Sequence, residues 1–410
     1  MASPVVIVGG GAAGAGVASG LRRGGWTGGI SVISDEAVAP YERPPLSKEF
    51  LRSTRSAESL GVLPVDWYRE NDVELIDGRA VSLNPDERAV QVAGGNNIRY
   101  SNLVLATGGR PRRLDWHDPQ GRILYLRSLQ DARALKEALG PGRRIVIIGA
   151  GFIGGEVAAS ARHLGASVTI VEALPLPLAR VLDEDIAGMY ADLHGENGVN
   201  LRLSSQVVAV RAGSDLELTL HDGNVLNCDV VLIGIGLEPN VNLAVDAGLE
   251  CRNGIVVDEF GRSSADGIFA AGDVANHFNP VYQRWLRVEH HDNALKQGAI
   301  VAANILGDRR PYEAPHWFWS VQYDCTLEAV GWWQEHDQAV TRGTLESRRF
   351  VRFYLKAGQI VGAVGLNAGR DVRRAGRLVG SRMRIEAVNL ADEAWDLRRA
   401  LVATPIGGIE

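Results

Sequence analysis

Two copies of one glycine pattern constrain the fold of this 410-residue chain more than any other feature. Each copy follows a run of β-branched residues and precedes a segment of helical character. Glycines in such a turn let backbone N–H groups approach a pyrophosphate and let the helix pack closely on the strand. The sequence therefore predicts two dinucleotide-binding βαβ units, although a purely structural turn is the alternative for either copy alone. The glycines are Gly9, Gly11 and Gly14 in the first copy and Gly149, Gly151 and Gly154 in the second.

An acidic residue follows the second predicted strand of each unit. Asp35 comes 21 residues after Gly14, and Glu172 comes 18 residues after Gly154. A carboxylate at this place accepts a hydrogen bond from an adenosine ribose and repels a 2′-phosphate. Glu172 therefore predicts NADH rather than NADPH in the second unit, while Arg180 keeps phosphate binding open. For Asp35, an ordinary turn residue is the alternative.

Length and composition limit the class of protein. The chain is too long for one hydrophobic core, so two or three domains are expected. A net charge of -6 argues against nucleic-acid binding, and the sequence has neither a signal-peptide pattern nor a membrane-length apolar run. Cys228, Cys251 and Cys325 form no close pair, which argues against a redox disulfide or a metal cluster. We therefore expect a cytoplasmic protein without a metal, membrane or nucleic-acid site.

Further motifs accompany the glycine patterns. Residues 105–109 read Leu-Ala-Thr-Gly-Gly, residues 268–273 read Ile-Phe-Ala-Ala-Gly-Asp, and residues 40–48 read Pro-Tyr-Glu-Arg-Pro-Pro-Leu-Ser-Lys. Tyr-Leu-Arg-Ser-Leu begins at residue 125, Gly-Ile-Gly-Leu-Glu-Pro-Asn at 234 and Trp-Phe-Trp-Ser at 317. With these motifs, almost the whole chain resembles the FAD-dependent NADH:ferredoxin reductases, of the putidaredoxin reductase and aromatic dioxygenase reductase type. Disulphide reductases would carry cysteine near residues 40–48, where this chain has none.

The resemblance implies an α/β fold with two Rossmann-like dinucleotide-binding domains, for FAD and NAD, arranged as in glutathione reductase, and a C-terminal α+β domain. Residues 1–110 and 237–312 would form the FAD-binding domain, residues 111–236 the NAD-binding domain, and residues 313–410 a C-terminal interface domain. A shift to tryptophan-rich and then arginine-rich sequence near residue 313 supports the last boundary. Short alternating segments in 73–105 and 201–232 predict inserted hairpins.

The resemblance also implies the residues that contact the cofactors. Lys48 and Glu156 would lie beside the flavin N5 edge, where the nicotinamide delivers hydride, and an ordinary ion pair is the alternative. The sequence predicts Glu156 in the first turn of a helix, where a carboxylate is favourable by roughly 0.3–1 kcal/mol. The implied cofactor contacts are Gly9, Gly11, Ala13, Gly14, Asp35, Arg43, Lys48, Val81, Thr107, Gly108, Arg127, Gly149, Gly151, Ile153, Gly154, Glu156, Glu172, Gly236, Asp273, His291 and Trp319.

Three positions depart from the family pattern. His291 stands where relatives carry an apolar residue or tryptophan, near the start of a helix predicted to run to Leu306. In the family, the N-terminus of this helix points at the flavin pyrimidine ring, where its partial positive charge stabilises the reduced cofactor. Val321 replaces a common aspartate and Gly155 a common leucine. These departures concern the fine geometry of the site rather than the reaction.

A strongly basic region lies in the predicted C-terminal domain. Residues 342–384 hold eleven basic residues and two acidic ones, a formal balance of +9 in a chain of net charge -6. Such asymmetry suggests a docking face for an acidic partner, and a solvated face without a partner is the alternative. The basic residues are Arg342, Arg348, Arg349, Arg352, Lys356, Arg370, Arg373, Arg374, Arg377, Arg382 and Arg384.

The resemblance implies a flavoprotein reductase that transfers electrons from NADH through FAD to an acidic two-iron two-sulfur ferredoxin, which feeds an oxygenase. Because hydride carries two electrons and the cluster accepts one, the flavin has to convert between them, and no protein nucleophile is needed. The alternatives are reduction of rubredoxin, oxygen, a quinone or a small organic acceptor, and an FAD-bearing NADH sensor. A monomer or a dimer is compatible with the sequence.

Overall fold

The structure is a computed structural model that describes residues 3–381 and 383–402. Arg382 of the basic region and residues 403–410 of the predicted C-terminal domain lie outside the described residues. The first part of the chain begins with a strand, the first glycine turn and a helix. Its elements are β1 (Val5–Val8), α1 (Ala12–Arg23), β2 (Ile30–Ser34), α2 (Val65–Glu70), β3 (Val73–Asp77), β4 (Ala80–Asn84), β5 (Ala89–Val92), β6 (Asn97–Arg99), β7 (Asn102–Leu105) and β8 (Gly109–Pro111).

The second part repeats the strand, glycine turn and helix. Its elements are β9 (Ile123–Leu124), α3 (Leu129–Ala138), β10 (Arg144–Ile148), α4 (Phe152–His163), β11 (Ser167–Val171), α5 (Glu184–Glu196), β12 (Asn200–Arg202), β13 (Val207–Ala212), β14 (Leu216–Leu220), β15 (Val225–Cys228), β16 (Val230–Ile233) and β17 (Leu237–Pro239). Five strands form a parallel sheet in the order β12-β11-β10-β16-β9. We call this sheet, with its helices and the antiparallel strands β13 to β15, the second unit.

The third part returns to the first sheet. Its elements are α6 (Asn242–Asp246), β18 (Ile255–Val257), β19 (Ile268–Ala270), β20 (Ala275–Asn279), β21 (Arg284–Arg287) and α7 (His291–Ile305). Strand β19 completes a parallel sheet of order β19-β7-β1-β2-β3. We call this sheet and the elements around it the first unit. It is therefore built from two separate stretches of chain, and the second unit is inserted between them.

The C-terminal part has a different architecture. Its elements are β22 (Trp317–Gln322), β23 (Cys325–Gly331), β24 (Gln338–Thr344), β25 (Arg349–Lys356), β26 (Gln359–Leu366), α8 (Gly369–Gly376), α9 (Ala387–Ala391) and α10 (Arg398–Val402). The five strands form an antiparallel sheet in the order β22-β23-β26-β25-β24. Helix α8 packs on this sheet, with Val372 and Ala375 buried in the same apolar cluster as Val351 and Phe353.

Helices α1 and α7 of the first unit pack in close contact next to the first glycine turn. A Cβ added at Gly298 of α7 would lie 2.5 Å from the Ala13 carbonyl oxygen. A Cβ added at Gly20 of α1 would lie 2.7 Å from the Cβ of Ala302. Glycine is therefore needed on both helices for the backbones to approach this closely, because a larger side chain would push them apart.

The predicted α/β architecture with a C-terminal α+β domain is confirmed, while the predicted inserted hairpins need one correction. In the range 73–105 only β4 to β6 form an antiparallel insertion, and β3 and β7 belong to the parallel sheet. In the range 201–232, β12 and β16 likewise belong to the parallel sheet. The alternation of apolar and polar residues within a short strand does not reveal which strand it pairs with. The sequence therefore could not separate the antiparallel strands from those of the parallel sheet. The domain boundaries stay predictions. Across the described ranges, no helix has the length and apolar character needed to cross a bilayer.

Candidate active site

The first glycine turn has the shape needed to receive a dinucleotide. Gly9 adopts a φ of 128°, and a Cβ there would lie 2.1 Å from the Ala106 carbonyl oxygen. A Cβ at Gly14 would lie 2.2 Å from the Gly9 carbonyl oxygen. Gly11, by contrast, precedes α1 and faces open space, since no heavy atom lies within 4 Å of its Cβ position. The turn thus presents bare backbone at a helix N-terminus, which is a favourable place for an anion.

The second glycine turn is built in the same way. Gly149 has a φ of 100°, and a Cβ there would lie 2.4 Å from the Gly234 carbonyl oxygen. A Cβ at Gly154 would lie 2.1 Å from the Gly149 carbonyl oxygen, and Gly151 again faces open space before α4. The residues present therefore fit two pyrophosphate-containing cofactors, one at each turn.

The two predicted ribose-binding acids differ in their surroundings. Asp35 is exposed directly after β2. Glu172 follows β11 and accepts hydrogen bonds from the backbone N–H groups of Ala150 at 2.7 Å and Leu174 at 2.9 Å. Its carboxylate is therefore held against the second glycine turn. Arg202, which ends the neighbouring strand β12, is exposed and its Cα pairs with that of Val171. The sequence reading missed Arg202 because strand adjacency is not visible in sequence.

Several residues predicted to contact FAD form one polar cluster, in which Arg43 and Asp273 of the first unit meet Arg127 of the segment between β9 and α3. Arg43 donates to the Arg127 carbonyl oxygen and to Glu36, both at 2.6 Å. Arg127 in turn donates to the carboxylate of Asp273 at 2.8 Å. Tyr41 also donates to Glu36, and burial raises the pKa of its hydroxyl well above the ordinary value. Neither Glu36 nor Tyr41 was among the predicted contacts, although Tyr41 lies within the motif at residues 40–48 and Glu36 directly follows Asp35.

The buried side-chain amide of Gln297, beside the first glycine turn, has a nitrogen without a hydrogen-bond partner among the described residues. The Gly272 N–H donates to Oε1 of Gln297 at 2.8 Å, and Nε2 of Gln297 has no hydrogen-bond partner among the described residues. Gly272 lies against Ala13, since its added Cβ would be 2.9 Å from the Ala13 Cβ. An unpaired buried donor is costly. The unpaired Nε2 group of Gln297, whose Oε1 binds the residue before Asp273, therefore fits a site in which an acceptor atom of a bound polar cofactor supplies the missing hydrogen bond.

The other predicted contacts lie in several elements. Val81 of β4 and Ile153, at the start of α4, are 50% and 43% exposed, respectively. Thr107 donates its hydroxyl to the Asn240 carbonyl oxygen at 2.8 Å. Gly108 and Gly236 have φ values of 63° and 107°, in the region that favours glycine.

Lys48 and Glu156 form a buried ion pair where the first and second units meet. Nζ of Lys48 lies 2.8 Å from Oε2 of Glu156, and the two side chains are 5% and 4% exposed. The same carboxylate accepts hydrogen bonds from Ser47 at 2.5 Å and from Ser320 at 2.8 Å. A buried charge is tolerated only when it is paired and hydrogen-bonded, as this one is. The structure thus brings the predicted catalytic residues together.

The predicted helix position of Glu156 was wrong. Helix α4 begins at Phe152, not at Glu156, so Glu156 lies in the second turn. Gly154 and Gly155, which precede Glu156, have low helix propensity, so the sequence did not indicate that the helix begins before them. The favourable first-turn interaction with the helix dipole therefore does not apply, because that effect falls off within the first turn. The carboxylate is stabilised by direct donors instead.

An aromatic strand connects the site to the C-terminal sheet. Trp317 and Trp319 of β22 are stacked, with ring centroids 5.1 Å apart and an interplanar angle of 24°. His291, the first residue of α7, meets Trp319 edge-on at 6.2 Å. Nε1 of Trp317 donates to Glu328 at 3.2 Å. Glu328 also accepts from Arg373 of α8 at 3.0 Å, so a chain of contacts runs from His291 to α8.

Two buried histidines, His277 and His316, and the half-buried His290 lie between the first unit and the C-terminal sheet. The ring centroids of His277 and His316 are 5.5 Å apart, and His290 packs on Phe318 at 4.5 Å. Burial lowers the pKa of His277 and of His290 to about 4. For His316, burial and then repulsion from the other two lower the pKa to about 2. All three are therefore neutral at physiological pH.

The basic region does not form one surface. Arg342 is buried and donates to the carbonyl oxygens of Leu390 and Asn389. Arg352 pairs with Asp183 at 3.1 Å and with Asp185 at 2.5 Å. Both arginines are therefore engaged in contacts within the protein and do not belong to an exposed docking surface. Arg348 and Lys356 pair with Glu196 and Glu335, and Arg374 is half-buried beside Asp371 and Asp396.

Six of the described basic residues in this region are exposed, namely Arg349, Lys356, Arg370, Arg373, Arg377 and Arg384. Three of them, Arg370 and Arg373 of α8 and Arg377 directly after it, are spaced by three and then four residues and so lie on one side of the helix. We call these three residues the basic helix face. Of the three, Arg373 touches Glu328 of the aromatic strand's neighbour, β23.

The cysteines are free and are placed as core residues. Cys228 and Cys325 are buried and Cys251 is half-buried. Burial raises the pKa of Cys325 to about 11 and that of Cys228 to about 12. Their thiols are therefore protonated at physiological pH and unsuited to nucleophilic attack.

Two glycine turns that fit dinucleotides, joined at a buried lysine–glutamate pair, define a nucleotide-dependent oxidoreductase. A family described as "Pyridine nucleotide-disulphide oxidoreductase" matches residues 3–298, and a "Reductase C-terminal" family matches residues 317–401. The chain belongs to the pyridine nucleotide-disulphide oxidoreductase family and ends in a reductase C-terminal domain. With the relatives described next, these matches confirm the predicted family type, fold class and enzyme class, and they confirm FAD together with a nicotinamide cofactor. The predicted preference for NADH over NADPH stays a prediction.

Named relatives cover nearly the whole chain. Putidaredoxin reductase CamA of Pseudomonas putida is 37% identical, over 97% of this chain and 97% of that protein. The ferredoxin–NAD(+) reductase component of the anthranilate 1,2-dioxygenase system of Burkholderia cepacia is 39% identical, over 98% of this chain and 100% of that protein. The solved covalent complex of putidaredoxin reductase with putidaredoxin matches with a TM-score of 0.93 and 36% identity, over 97% and 98% of the two chains.

Proposed function

We propose that this protein transfers electrons from NADH through FAD to an iron–sulfur ferredoxin. The observation that carries the proposal is the 2.8 Å contact between Lys48 of the first unit and Glu156 of the second, at the boundary of two turns that each fit a dinucleotide. The acceptor is proposed from the relatives, which are named as reductases of ferredoxins and of putidaredoxin.

Each part of the site has a role in this proposal. Bare backbone at Gly11 and Gly151 binds the two pyrophosphates at the N-termini of α1 and α4. Glu172 favours a ribose hydroxyl over a phosphate and so selects NADH. FAD, when bound, accepts hydride and releases its electrons one at a time. Lys48, held by Glu156, orients the reacting edge of the site, and burial of the pair keeps water away from it.

The basic helix face supports an acidic partner. Its three exposed arginines attract a partner of opposite charge and orient it before contact. The contacts from Arg373 through Glu328 to Trp317 and Trp319 place this face next to the aromatic strand beside α7. We therefore propose that an acidic ferredoxin docks on α8. The downstream oxygenase stays a prediction from the resemblance, and a cytoplasmic location and a monomeric or dimeric state stay predictions from the sequence.

The test is anaerobic stopped-flow of the purified protein with NADH, followed by mixing with candidate acceptors. We expect release of free FAD on denaturation, fast flavin reduction by NADH, and faster reoxidation by a two-iron two-sulfur ferredoxin than by rubredoxin, a quinone, oxygen or a small organic acceptor. Recovery of FMN, or a covalently retained flavin, would contradict the cofactor assignment. Faster reoxidation by another acceptor would replace the ferredoxin in the proposal.

A further inference from the structure

The carboxylate of Glu156 is bound from three parts of the chain. Oε2 accepts hydrogen bonds from Lys48 at 2.8 Å and from Ser47 at 2.5 Å, both in the first unit. Oε1 accepts a hydrogen bond from Ser320 at 2.8 Å, from β22 of the C-terminal sheet. Glu156 itself belongs to α4 of the second unit. All three parts therefore meet at one side chain.

The donors occupy the two oxygens separately, and this fixes the plane of the carboxylate. With donors only on Oε2, the group could rotate about its Cγ–Cδ bond, because such terminal torsions are broad. The Ser320 hydroxyl on Oε1 removes this freedom. Hydrogen bonds to an ionised group are short and strong. Ser320 is 1% exposed, so water does not take its place.

The orientation of Ser320 is itself set by a neighbour. Nε2 of Gln322 lies 3.5 Å from the Ser320 hydroxyl oxygen, at the outer limit of a hydrogen bond. Gln322 is fully buried and sits over Gly155, where an added Cβ would lie 2.5 Å from its Oε1. A hydroxyl that accepts from Gln322 has its proton free to donate to Glu156. The absence of a side chain at Gly155 thus makes room for this arrangement.

We propose that Ser320 is a positioning residue for flavin reduction: it holds the Glu156 carboxylate, and through it the Lys48 ammonium, in the geometry that hydride transfer requires. This inference rests on the proposed function. It gives the C-terminal sheet a part in the first half of the reaction, in addition to its proposed part in docking. Because Ser320 acts through Glu156, its removal changes the rate of hydride transfer more than the binding of NADH.

The variants are Ser320→Ala, Ser320→Thr and a control, Ser31→Ala. Ser31 of β2 is 5% exposed and its hydroxyl likewise donates to a carboxylate, that of Glu74 on β3, at 2.8 Å. We measure the limiting rate of flavin reduction and the apparent NADH Kd by anaerobic stopped-flow. NAD⁺ binding to the oxidised protein and the thermal unfolding midpoint are measured separately.

In Ser320→Ala we expect roughly 10-fold slower flavin reduction, the effect of losing a hydrogen bond to a charged group. The Kd values for NADH and NAD⁺ should stay within about twofold of wild type, because the substitution affects hydride transfer and not cofactor binding. Ser320→Thr keeps the hydroxyl and should restore most of the rate. Ser31→Ala also removes a hydroxyl that donates to a carboxylate, and it should leave the reduction rate near wild type.

Wild-type reduction rates in Ser320→Ala would overturn the proposal, and so would equal slowing in Ser320→Ala and Ser31→Ala, which would indicate a general effect of losing a buried serine hydroxyl. If Ser320→Thr does not fold, Ser320→Ala is measured in a Glu156→Gln background. There the serine change should add little, and full additivity would also overturn the proposal. Absence of any reduction of the wild-type flavin by NADH would instead contradict the proposed function.

Discussion

Gly155 of α4 and Gln322 of β22 fit together as a small residue against a large one, since a Cβ at Gly155 would lie 2.5 Å from Oε1 of Gln322. The leucine that the family commonly carries at this position would overlap the buried amide. We therefore predict that Gly155→Leu destabilises the protein by about 1–3 kcal/mol, the usual cost of overpacking. Thermal unfolding measures this, and Gly155→Leu combined with Gln322→Ala should recover part of the loss. Gly195→Leu, at an open position of α5, is the control.

Breaking the Lys48–Glu156 pair should slow flavin reduction by NADH more than it weakens FAD binding. Lys48→Met and Glu156→Gln each leave a buried group without its partner, which costs about 3–5 kcal/mol in such pairs. The double variant should therefore be more stable than the less stable of the two single variants. Stopped-flow gives the rates and denaturant unfolding the stabilities. Unchanged reduction rates in both single variants would mean that the pair is only structural.

The cofactor preference should depend on Glu172. In Glu172→Ala we expect the ratio of kcat/KM for NADH over NADPH to fall by roughly 10-fold, because the variant loses both a ribose acceptor and a charge that repels phosphate. Steady-state kinetics with both cofactors measures this ratio, with Asp192→Ala, an exposed acid of α5, as the control. A wild-type enzyme that prefers NADPH would show that Arg180 or Arg202 governs the site.

Electron transfer to ferredoxin should depend on the basic helix face. We predict that Arg370→Glu, Arg373→Glu and Arg377→Glu together slow ferredoxin reduction by roughly 10-fold or more at low salt, with flavin reduction by NADH unchanged. High salt should reduce the difference, since the screening length falls from about 30 Å at 0.01 M to about 3 Å at 1 M.

The control for this prediction reverses three exposed arginines of the first unit, Arg23, Arg69 and Arg79, and so changes the net charge equally. If both triple variants reduce ferredoxin at the same rate, net charge rather than α8 guides the encounter. Arg374 is left unchanged because it is half-buried between Asp371 and Asp396.

The buried histidines should make the protein sensitive to mild acid. Their folded pKa values of about 4 for His277 and His290, and about 2 for His316, lie below the ordinary 6.5. Stability is therefore fully present above pH 6.5 and is lost as the pH falls below it, because the unfolded chain binds protons that the folded chain cannot. Each histidine contributes up to about 1.4 kcal/mol per pH unit.

Unfolding free energies between pH 7 and pH 5 test this dependence. His277→Leu should flatten the loss with falling pH and leave stability at pH 7 equal or higher, because neither ring nitrogen of His277 has a partner among the described residues. His117→Leu, at an exposed loop position, is the control and should keep the wild-type slope. Equal slopes in both variants would contradict the assignment to the buried cluster.

The features predicted best from sequence are local ones. The glycine turns at Gly9 and Gly149 depend on a few adjacent residues, and the structure shows the backbone geometry that the pattern requires. The Lys48–Glu156 contact spans 108 residues and came only from the resemblance. Ser320, which is 164 residues from Glu156, was missed, since no pattern within a strand reveals what its hydroxyl will meet in another domain.

The basic region shows a second limit. A count of charges along the chain cannot tell which arginines the fold uses for itself. Arg342 donates to backbone carbonyl groups, and Arg352 pairs with Asp183 and Asp185. Only the three-dimensional structure distinguishes these two arginines from the basic helix face.

The two-stranded ribbon of β8 and β17 carries a consequence for how such a chain can change over evolutionary time. Its pairs, Leu237 with Pro111 and Pro239 with Gly109, bring the entrance and the exit of the second unit side by side. The chain therefore enters and leaves the second unit through one paired stem. Side-chain contacts such as Lys48–Glu156 and Arg352–Asp183 also join this unit to the rest of the protein. An exchange of the second unit between relatives would have to preserve these contacts as well as the stem, while β1, β7 and β19 would keep their order.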